Sequence, residues 1–523
     1  MQKNKYLFII FSSVLLAATG SSCKKILTQE PKNSTYLEVY WKSAADCEYA
    51  IAGNYALLRD AFTDFHNRYY MYGDAQASPY FGIHYTGDGL ENIEGGGWTF
   101  KYDVEGMGDW TKYYKAIAMS NLILQKVPTI SDEVMGKTVA DVPAYRNKIM
   151  GEALFLRALV YFELVKIYGD VPLVTVSYDD PLKAPQLPRS PKADVLAQIE
   201  KDAKAAAGLL VWGYEAKQDI AVRANRASVY GLLAHMYLWR ATTTNMATPD
   251  PIMADVDNAS NSIDSITMKG GYSLVDTADY LKQFSSRSSE SIFEIAMSED
   301  SKEGSNRHIG MEFLTNLYIN GYGTGHRFWV LPSYLSSHYH FDAFNKDSAA
   351  LGIDLTDTFD IRFIHNFDQI HEPEPICRKY SNVSYRNAGA QTDPFLSNNM
   401  ILFRLSDMIL LKAEIALYRN DLGSAVTIIN DFRERNGAAL RYRVDNTYSK
   451  DDLMYEYVLE RGKELYLEGH LYYDLIRTRQ YGNFIPWLSD SRFREEGIYW
   501  PINPLLFNDN RFLTQTKYWR GKV

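Results

Sequence analysis

Residues 151–173, GEALFLRALVYFELVKIYGDVPL, decide the fold more than any other stretch of this chain. They make about five turns of good helix formers. Gly169 and Pro172 predict where the helix ends, because glycine tolerates a positive φ and proline cannot continue a helix. The stretch is apolar on almost every face, and such a helix must be covered on most sides. The sequence therefore predicts a buried helix inside a helical array.

Helical periodicity recurs along both halves of the chain and predicts a mainly α fold with minor β structure. Predicted helices cover residues 44–59, 110–127, 144–168, 192–210, 224–241, 253–268, 405–419, 422–436 and 450–476. Residues 291–296, SIFEIA, favour a short strand.

The predicted helix pair at residues 405–436 resembles a tetratricopeptide repeat. Ala413 and Ala425 place small residues twelve apart around a polar turn, where the two helices of such a repeat approach closely. The other pairs fit more loosely, and no clean period of about 34 residues runs through the chain. We therefore expect a few degenerate repeats and no regular solenoid.

Two aromatic, glycine-punctuated stretches separate the helical regions. Residues 60–109 hold nine glycines and no sustained period, and residues 318–339 have a similar composition. Both are predicted to be long loops. Their aromatic content disfavours disorder, and long loops on a compact scaffold often carry function.

Composition and charge exclude some classes of protein. The chain is 46% apolar and 23% charged, which is typical of a globular protein. Its net charge of -9 and the lack of a basic stripe argue against nucleic-acid binding, which depends on phosphate neutralisation. Cys47 and Cys377 lie in no metal-binding motif, and whether they pair as a disulfide stays open.

The N-terminus has the pattern of a lipoprotein signal peptide. Lys3 and Lys5 precede a short apolar run, residues 6–18, and small residues then lead to Cys23. We expect residues 1–22 to be removed and Cys23 to be acylated, with cleavage by an ordinary signal peptidase as the alternative. Removing the two lysines with the signal brings the net charge to -11.

The helix at residues 151–173 belongs to an ordered set of motifs. The set comprises Trp110-x-x-x-Tyr114-x-x-Ile117-x-x-x-Asn121, Arg157 to Pro172, Glu290 to Glu294 (ESIFE), Asp360-x-Arg362, Lys379-Tyr380, Phe403 to Asp407 (FRLSD), Glu460-Arg461-x-x-Glu464-Leu465-x-x-Glu468-Gly469, Tyr473 to Arg477 (YDLIR) and Trp500 to Asn503 (WPIN). In this order the motifs resemble the SusD/RagB family of glycan-capturing outer-membrane lipoproteins, over nearly the whole chain after residue 22.

The resemblance implies a SusD-like fold in one intimate globular unit. It divides the chain into a signal peptide (1–22), a lipid anchor and tether (23–43), an N-terminal helical repeat region (44–275, with the loop insertion 60–109) and a C-terminal region (276–523). It further implies a non-catalytic lipoprotein on the outer face of the outer membrane. Such a protein captures oligosaccharides and delivers them to a SusC-like TonB-dependent transporter. No cofactor is implied, and the resemblance does not decide whether a structural Ca²⁺ is bound.

Two other functions stay as alternatives: a secreted glycosidase, and a lid or repeat adaptor of the transporter without a ligand. A glycosidase needs two carboxylates that face a sugar across a fixed gap. The acidic residues of the motif at 460–469 lie three to four apart beside arginines, which predicts ion pairs instead. The chain also contains no G-x-S-x-G, Walker or H-E-x-x-H motif.

A sugar ring offers an apolar C–H face and a fringe of hydroxyls, so its site needs a flat aromatic ring and nearby polar groups. The two loops supply both. The candidate stacking residues are Tyr85, Trp98, Tyr322 and Trp329, and the candidate hydroxyl partners are Asp74, His326 and Arg327. No metal site is predicted, because His84 and His326 have no partner at ligand spacing. The acidic charge favours a neutral or basic oligosaccharide.

Overall fold

A computed structural model of the chain describes residues 40–77, 80–84, 90–98, 103–178, 184–297, 308–315, 317–320, 326–341 and 359–523. The fold is mainly α, as predicted, with 56% of the described residues in α- or 3-10 helices. The signal peptide, Cys23 and most of the tether lie outside the described residues. Among the described helices, none is both long and apolar enough to cross a membrane.

The helices and strands are numbered in chain order. The α-helices are α1 Ala44–Gly73, α2 Thr111–Lys126, α3 Asp132–Met135, α4 Val142–Tyr168, α5 Lys192–Leu209, α6 Arg226–Thr243, α7 Met253–Lys269, α8 Ile309–Phe313, α9 Pro332–Tyr339, α10 Ile361–Asn366, α11 Leu405–Tyr418, α12 Leu422–Arg435, α13 Lys450–Glu464, α14 Leu471–Arg477, α15 Tyr481–Phe484, α16 Asp490–Arg494 and α17 Leu506–Asp509. The strands are β1 Phe81–Ile83, β2 Ser291–Ile295, β3 Phe328–Val330, β4 Phe367–Asp368, β5 Ile376–Cys377, β6 Val383–Asn387, β7 Thr392–Leu396 and β8 Met400–Arg404.

Helix α4 contains most of the stretch quoted first and is buried as predicted. The Asp141 side chain caps its N-terminus by accepting a hydrogen bond from the Ala144 N–H, 3.0 Å away. From residue 151 to residue 168 every side chain except Leu154 is buried. The helix ends at Gly169, whose φ of +71° is strained for other residues. The local signals for both the burial and the stop are thus confirmed.

Two predicted boundaries are wrong. Helix α1 continues to Gly73, although a loop was expected from residue 60, because this segment has no glycine before Gly73 and Phe62, Tyr69, Tyr70 and Tyr72 pack in the core. The predicted helix 450–476 is broken between α13 and α14, where Gly469 has a φ of +78°. A Cβ at Gly469 would lie 2.2 Å from the ring of Tyr69 near the end of α1, so the break lets the two segments meet.

The strands form four two-stranded antiparallel sheets, β1–β3, β2–β8, β4–β5 and β6–β7. Strand β2 confirms the strand expected at residues 291–296. Most buried apolar residues from Ala44 to Trp519 form one contiguous core, so the N-terminal and C-terminal regions share their packing. A small second cluster comprises Met311, Leu314, Ile319 and Leu396. Cys47 and Cys377 are both buried as free thiols, and burial raises their pKa values, that of Cys47 to about 11.

The acidic residues of the motif at 460–469 form buried ion pairs, as predicted. Glu464 lies 2.8 Å from the Arg404 guanidinium and 3.1 Å from that of Arg362, and all three side chains are at most 1% exposed. Burial alone would raise the pKa of Glu464, but the two guanidinium groups outweigh it and hold the pKa at about 2. Glu460 pairs with Arg362 at 2.6 Å and Glu468 with Arg404 at 2.8 Å. These carboxylates stabilise the core and cannot reach a ligand in solvent.

Candidate functional site

The short sheet β1–β3 positions the candidate site. Gly82 of β1 lies opposite Trp329 of β3 in the antiparallel register. A Cβ at Gly82 would lie 2.2 Å from the indole ring, so only glycine lets Trp329 lie across the neighbouring strand. The indole therefore stays partly exposed at the surface. Trp329, a stacking residue predicted in the stretch 318–339, is thus positioned by Gly82 from the stretch 60–109.

Two histidines meet at the end of this sheet. The His84 N–H donates to the Arg327 carbonyl oxygen, 3.0 Å away, and this bond places His84 beside His326 with ring centroids 5.7 Å apart. The His84 ring also packs on Trp329 at 4.4 Å between centroids. The site therefore combines an aromatic surface with two imidazoles that come from distant parts of the sequence.

Glu374 completes the cluster. It lies in the turn between β4 and β5, and the Val330 N–H holds this turn against β3 by donating to the Pro375 carbonyl oxygen at 2.7 Å. Its Oε2 atom lies 3.2 Å from Nε2 of His84 and 3.2 Å from Nε2 of His326. The contact with His84 has the geometry of a hydrogen bond, whereas Nε2 of His326 has no hydrogen-bond partner.

The cluster is only partly covered by protein. The exposed fractions of the side chains are 38% for His84, 40% for Glu374 and 15% for His326. Burial lowers the pKa of His326, against the opposing effect of the Glu374 carboxylate. The lowered pKa favours the neutral imidazole of His326, the form that can bind a metal ion.

An open groove of about 770 Å³ adjoins the cluster. It is lined by His326, Asp368, Gln369, Ile370, His371, Glu372, Pro373 and Glu374. The Tyr318 hydroxyl donates to Asp368 and lowers the pKa of that carboxyl group. Trp329 does not line the groove itself but packs on His84, whose ring lies beside that of the lining residue His326. Ligand sites in proteins commonly have volumes of about 300–1,000 Å³. The groove therefore has room for a small oligosaccharide and supplies hydrogen-bonding groups for its hydroxyls.

The structure brings together three of the seven residues predicted for a glycan site, namely His326, Arg327 and Trp329. Arg327 is half-buried, and its guanidinium carbon lies 6.0 Å from the ring centre of Phe328. Tyr85 and Tyr322 lie outside the described residues. The roles of these residues in sugar binding stay predictions.

Trp98 is not a surface platform, and that interpretation is wrong. It is 1% exposed and stacks on Trp500 with centroids 4.6 Å apart and an interplanar angle of 4°. Its indole N–H donates to the Ile93 carbonyl oxygen at 3.2 Å. Composition marked Trp98 as a loop aromatic, but this loop is folded against the C-terminal tail, and the ring is part of the core.

Asp74 is likewise misplaced as a partner for sugar hydroxyls. It follows the end of α1, is 1% exposed, and accepts a hydrogen bond from the Gly469 N–H at 2.8 Å. Burial raises the pKa of Asp74 to about 8. Its carboxyl group links the end of α1 to the turn after α13. No sugar can reach it there.

His84 and Glu374 were missed by the sequence analysis. They are 290 positions apart and belong to no motif, so only the pairing of β1 with β3 and of β4 with β5 reveals them. A second cluster, His235, Asp407 and His470, is buried. There Asp407 pairs with His235 at 2.7 Å and with Arg461 at 2.9 Å, which gives it a structural role.

Comparisons with known proteins agree with the architecture. A family profile described as "Starch-binding associating with outer membrane" matches residues 81–238, and one described as "SusD family" matches residues 371–519. SusD-like protein P38 of Formosa agariphila is 24% identical, over 96% of this chain and 97% of that protein. The crystal structure of a SusD homolog from Bacteroides thetaiotaomicron superposes with a TM-score of 0.72 at 23% identity, over 91% of this chain and 98% of the other.

Proposed function

Because the chain belongs to the SusD family, whose members are generally glycan-binding proteins of nutrient uptake systems, we propose that it captures oligosaccharides in the groove beside His326. In this proposal it is a non-catalytic lipoprotein of the cell surface, anchored through Cys23 in the outer membrane. It delivers its ligand to a SusC-like TonB-dependent transporter.

The partly exposed indole of Trp329 supports the assignment of the site, because it packs on His84, which lies beside His326 at the edge of the groove. An indole face packs against the C–H face of a sugar ring, and polar groups nearby fix the orientation by binding the hydroxyls. The groove offers carboxylates, an amide and imidazoles within the reach of one or two sugar rings. Its acidic side chains favour a neutral or basic sugar over a polyanion.

The buried ion pairs of the motif at 460–469 support a binding role over a hydrolytic one. Glu460, Glu464 and Glu468 are the most prominent acidic residues of the motifs, and each is at most 1% exposed and paired with arginine. A general acid and a nucleophile of a glycosidase must instead contact the substrate. These three residues therefore contribute to stability and take no part in sugar chemistry.

Calorimetric titration against a panel of neutral, basic and uronic oligosaccharides tests the proposal. We expect Trp329→Ala to lower the affinity for the bound sugar about tenfold or more, a loss of about 1.4 kcal/mol. Trp212→Ala is the matched control, because Trp212 is also partly buried but stacks on Tyr230, outside the groove. An unchanged affinity in Trp329→Ala would place the sugar elsewhere, and shortened products after incubation would favour a glycosidase.

The anchor and the partner need a separate experiment. Replacing Cys23 with alanine should release the protein from the membrane fraction, since one acylated cysteine supplies the anchor. Affinity purification of the wild type from solubilised membranes should recover a TonB-dependent transporter. Retention of the Cys23→Ala variant in the membrane without the transporter would contradict this part of the proposal.

A further inference from the structure

We propose that His84, His326 and Glu374 form a binding site for a divalent transition-metal ion, with Zn²⁺ as the preferred ion. The site lies at the end of the β1–β3 sheet, at the edge of the groove. It goes beyond the proposed glycan function and does not depend on it.

The distances between the donor atoms fit a metal site. Nε2 of each histidine is 3.2 Å from Oε2 of Glu374, and the three atoms all lie within 4.8 Å of one another. Ligands on a tetrahedral Zn²⁺ with bonds of about 2.0–2.2 Å are about 3.3–3.6 Å apart. Each imidazole nitrogen therefore already lies close to ligand spacing from the carboxylate oxygen, and the two nitrogens lie within 4.8 Å of each other.

The chemistry of the donors fits as well. Two imidazole nitrogens and one carboxylate oxygen make a donor set that zinc uses when one coordination position stays open to water or another ligand. Nε2 of His326 makes no hydrogen bond of good geometry, and it lies 3.2 Å from Oε2 of Glu374. A purely structural role for the cluster would use this nitrogen in a hydrogen bond, as Nε2 of His84 does with Glu374.

Backbone hydrogen bonds hold the three donors in place. The bond from the His84 N–H to Arg327 fixes the two histidines relative to each other, and the bond from Val330 to Pro375 fixes the turn that carries Glu374. Trp329 packs on the His84 ring and limits its rotation. Preorganisation of this kind lowers the cost of assembling a site, and the packing around a ligand is part of what sets its affinity.

Binding of Zn²⁺ to the untagged, chelator-treated full chain tests the proposal. We expect about one equivalent of Zn²⁺ to bind, and Co²⁺ to give the visible absorption of a tetrahedral complex. Glu374→Gln keeps the shape of the side chain but removes its charge, and His326→Asn removes a nitrogen ligand. Each should lower the Zn²⁺ affinity at least about tenfold.

The matched control is His371→Asn, because His371 lines the same groove and lies outside the cluster. Its Zn²⁺ affinity should equal that of the wild type. Absence of saturable binding to the wild type would overturn the proposal, as would equal losses in His371→Asn and His326→Asn. The Co²⁺ spectrum of the wild type tests metal binding without any substitution, so it decides the question even if a variant does not fold. Sugar titrations without metal test the glycan function separately.

Discussion

Asp74→Asn should make the protein more stable at neutral and alkaline pH. Burial raises the pKa of Asp74 to about 8, whereas an aspartate in an unfolded chain has a pKa of about 3.9. Between these values the folded protein keeps a proton that the unfolded chain has released. Stability therefore falls as pH rises through this window, and it stops falling above about pH 8. Asparagine is neutral at every pH and removes this dependence.

The size of the expected stability difference follows from the one proton that Asp74 keeps in the folded protein. Each pH unit within the window changes the free energy of unfolding by about 1.4 kcal/mol. The stability difference between Asp74→Asn and the wild type should therefore grow by roughly 2.5–3 kcal/mol from about pH 5.5 to about pH 7.5. The side-chain oxygen of asparagine can still accept the hydrogen bond from the Gly469 N–H.

Thermal and urea unfolding at a series of pH values, followed by tryptophan fluorescence, measures this difference. Asp250→Asn serves as the control, because Asp250 is exposed and its substitution changes the net charge by the same amount. Glycan affinity should be unchanged in Asp74→Asn, since the side chain is only 1% exposed. A stability difference that stays constant with pH, or one that shrinks as pH rises, would refute the argument.

Three further predictions concern the core. Trp98→Ala should destabilise the protein by about 3–5 kcal/mol in urea unfolding and leave glycan affinity unchanged, because the ring fills the core; a selective loss of sugar binding would contradict this. Glu464→Ala should cost about 3–5 kcal/mol, because it leaves the buried Arg404 charge under-compensated. The wild type should also lose stability as pH falls from about 4.5 towards 2, where the lowered pKa of Glu464 is reached, and a flat acid profile would oppose this. Gly469→Ala should lower the melting temperature by several degrees, since the left-handed φ and the Tyr69 ring both exclude a Cβ; an unchanged melting temperature would show that the segment can move.

The helices could be predicted from sequence because their signals are local. In α4 the apolar positions, the Asp141 cap and Gly169 all lie within one segment, and the structure uses each of them. The boundaries that failed depend on distant partners. The extension of α1 and the break at Gly469 depend on each other, because the end of α1 packs on the turn after α13.

The site was predictable only in part, for a related physical reason. Aromatic composition marked the stretch around Trp329, where the site is proposed, but it could not separate a partly exposed indole from the buried Trp98, because both stand in glycine-rich loops. Gly82 lies in a strand of three residues, and Glu374 lies in the turn after a strand of two, and such short strands carry almost no periodicity. The roles of Gly82 and Glu374 therefore become visible only when strands that are distant in sequence are paired.

The residues of the family motifs and the residues proposed to bind ligands are under different physical constraints. Glu460, Glu464 and Glu468 sit in a dry core, where a charge without its partner costs several kcal/mol, so few substitutions at these positions preserve the fold. His326 and Glu374 are partly solvated, and replacing them costs the scaffold little. A family built this way can keep one core and change its ligand through the short strands and turns that the core supports. For this chain, the proposed sugar and metal sites both lie on such elements, the β1–β3 sheet and the turn at residues 368–374.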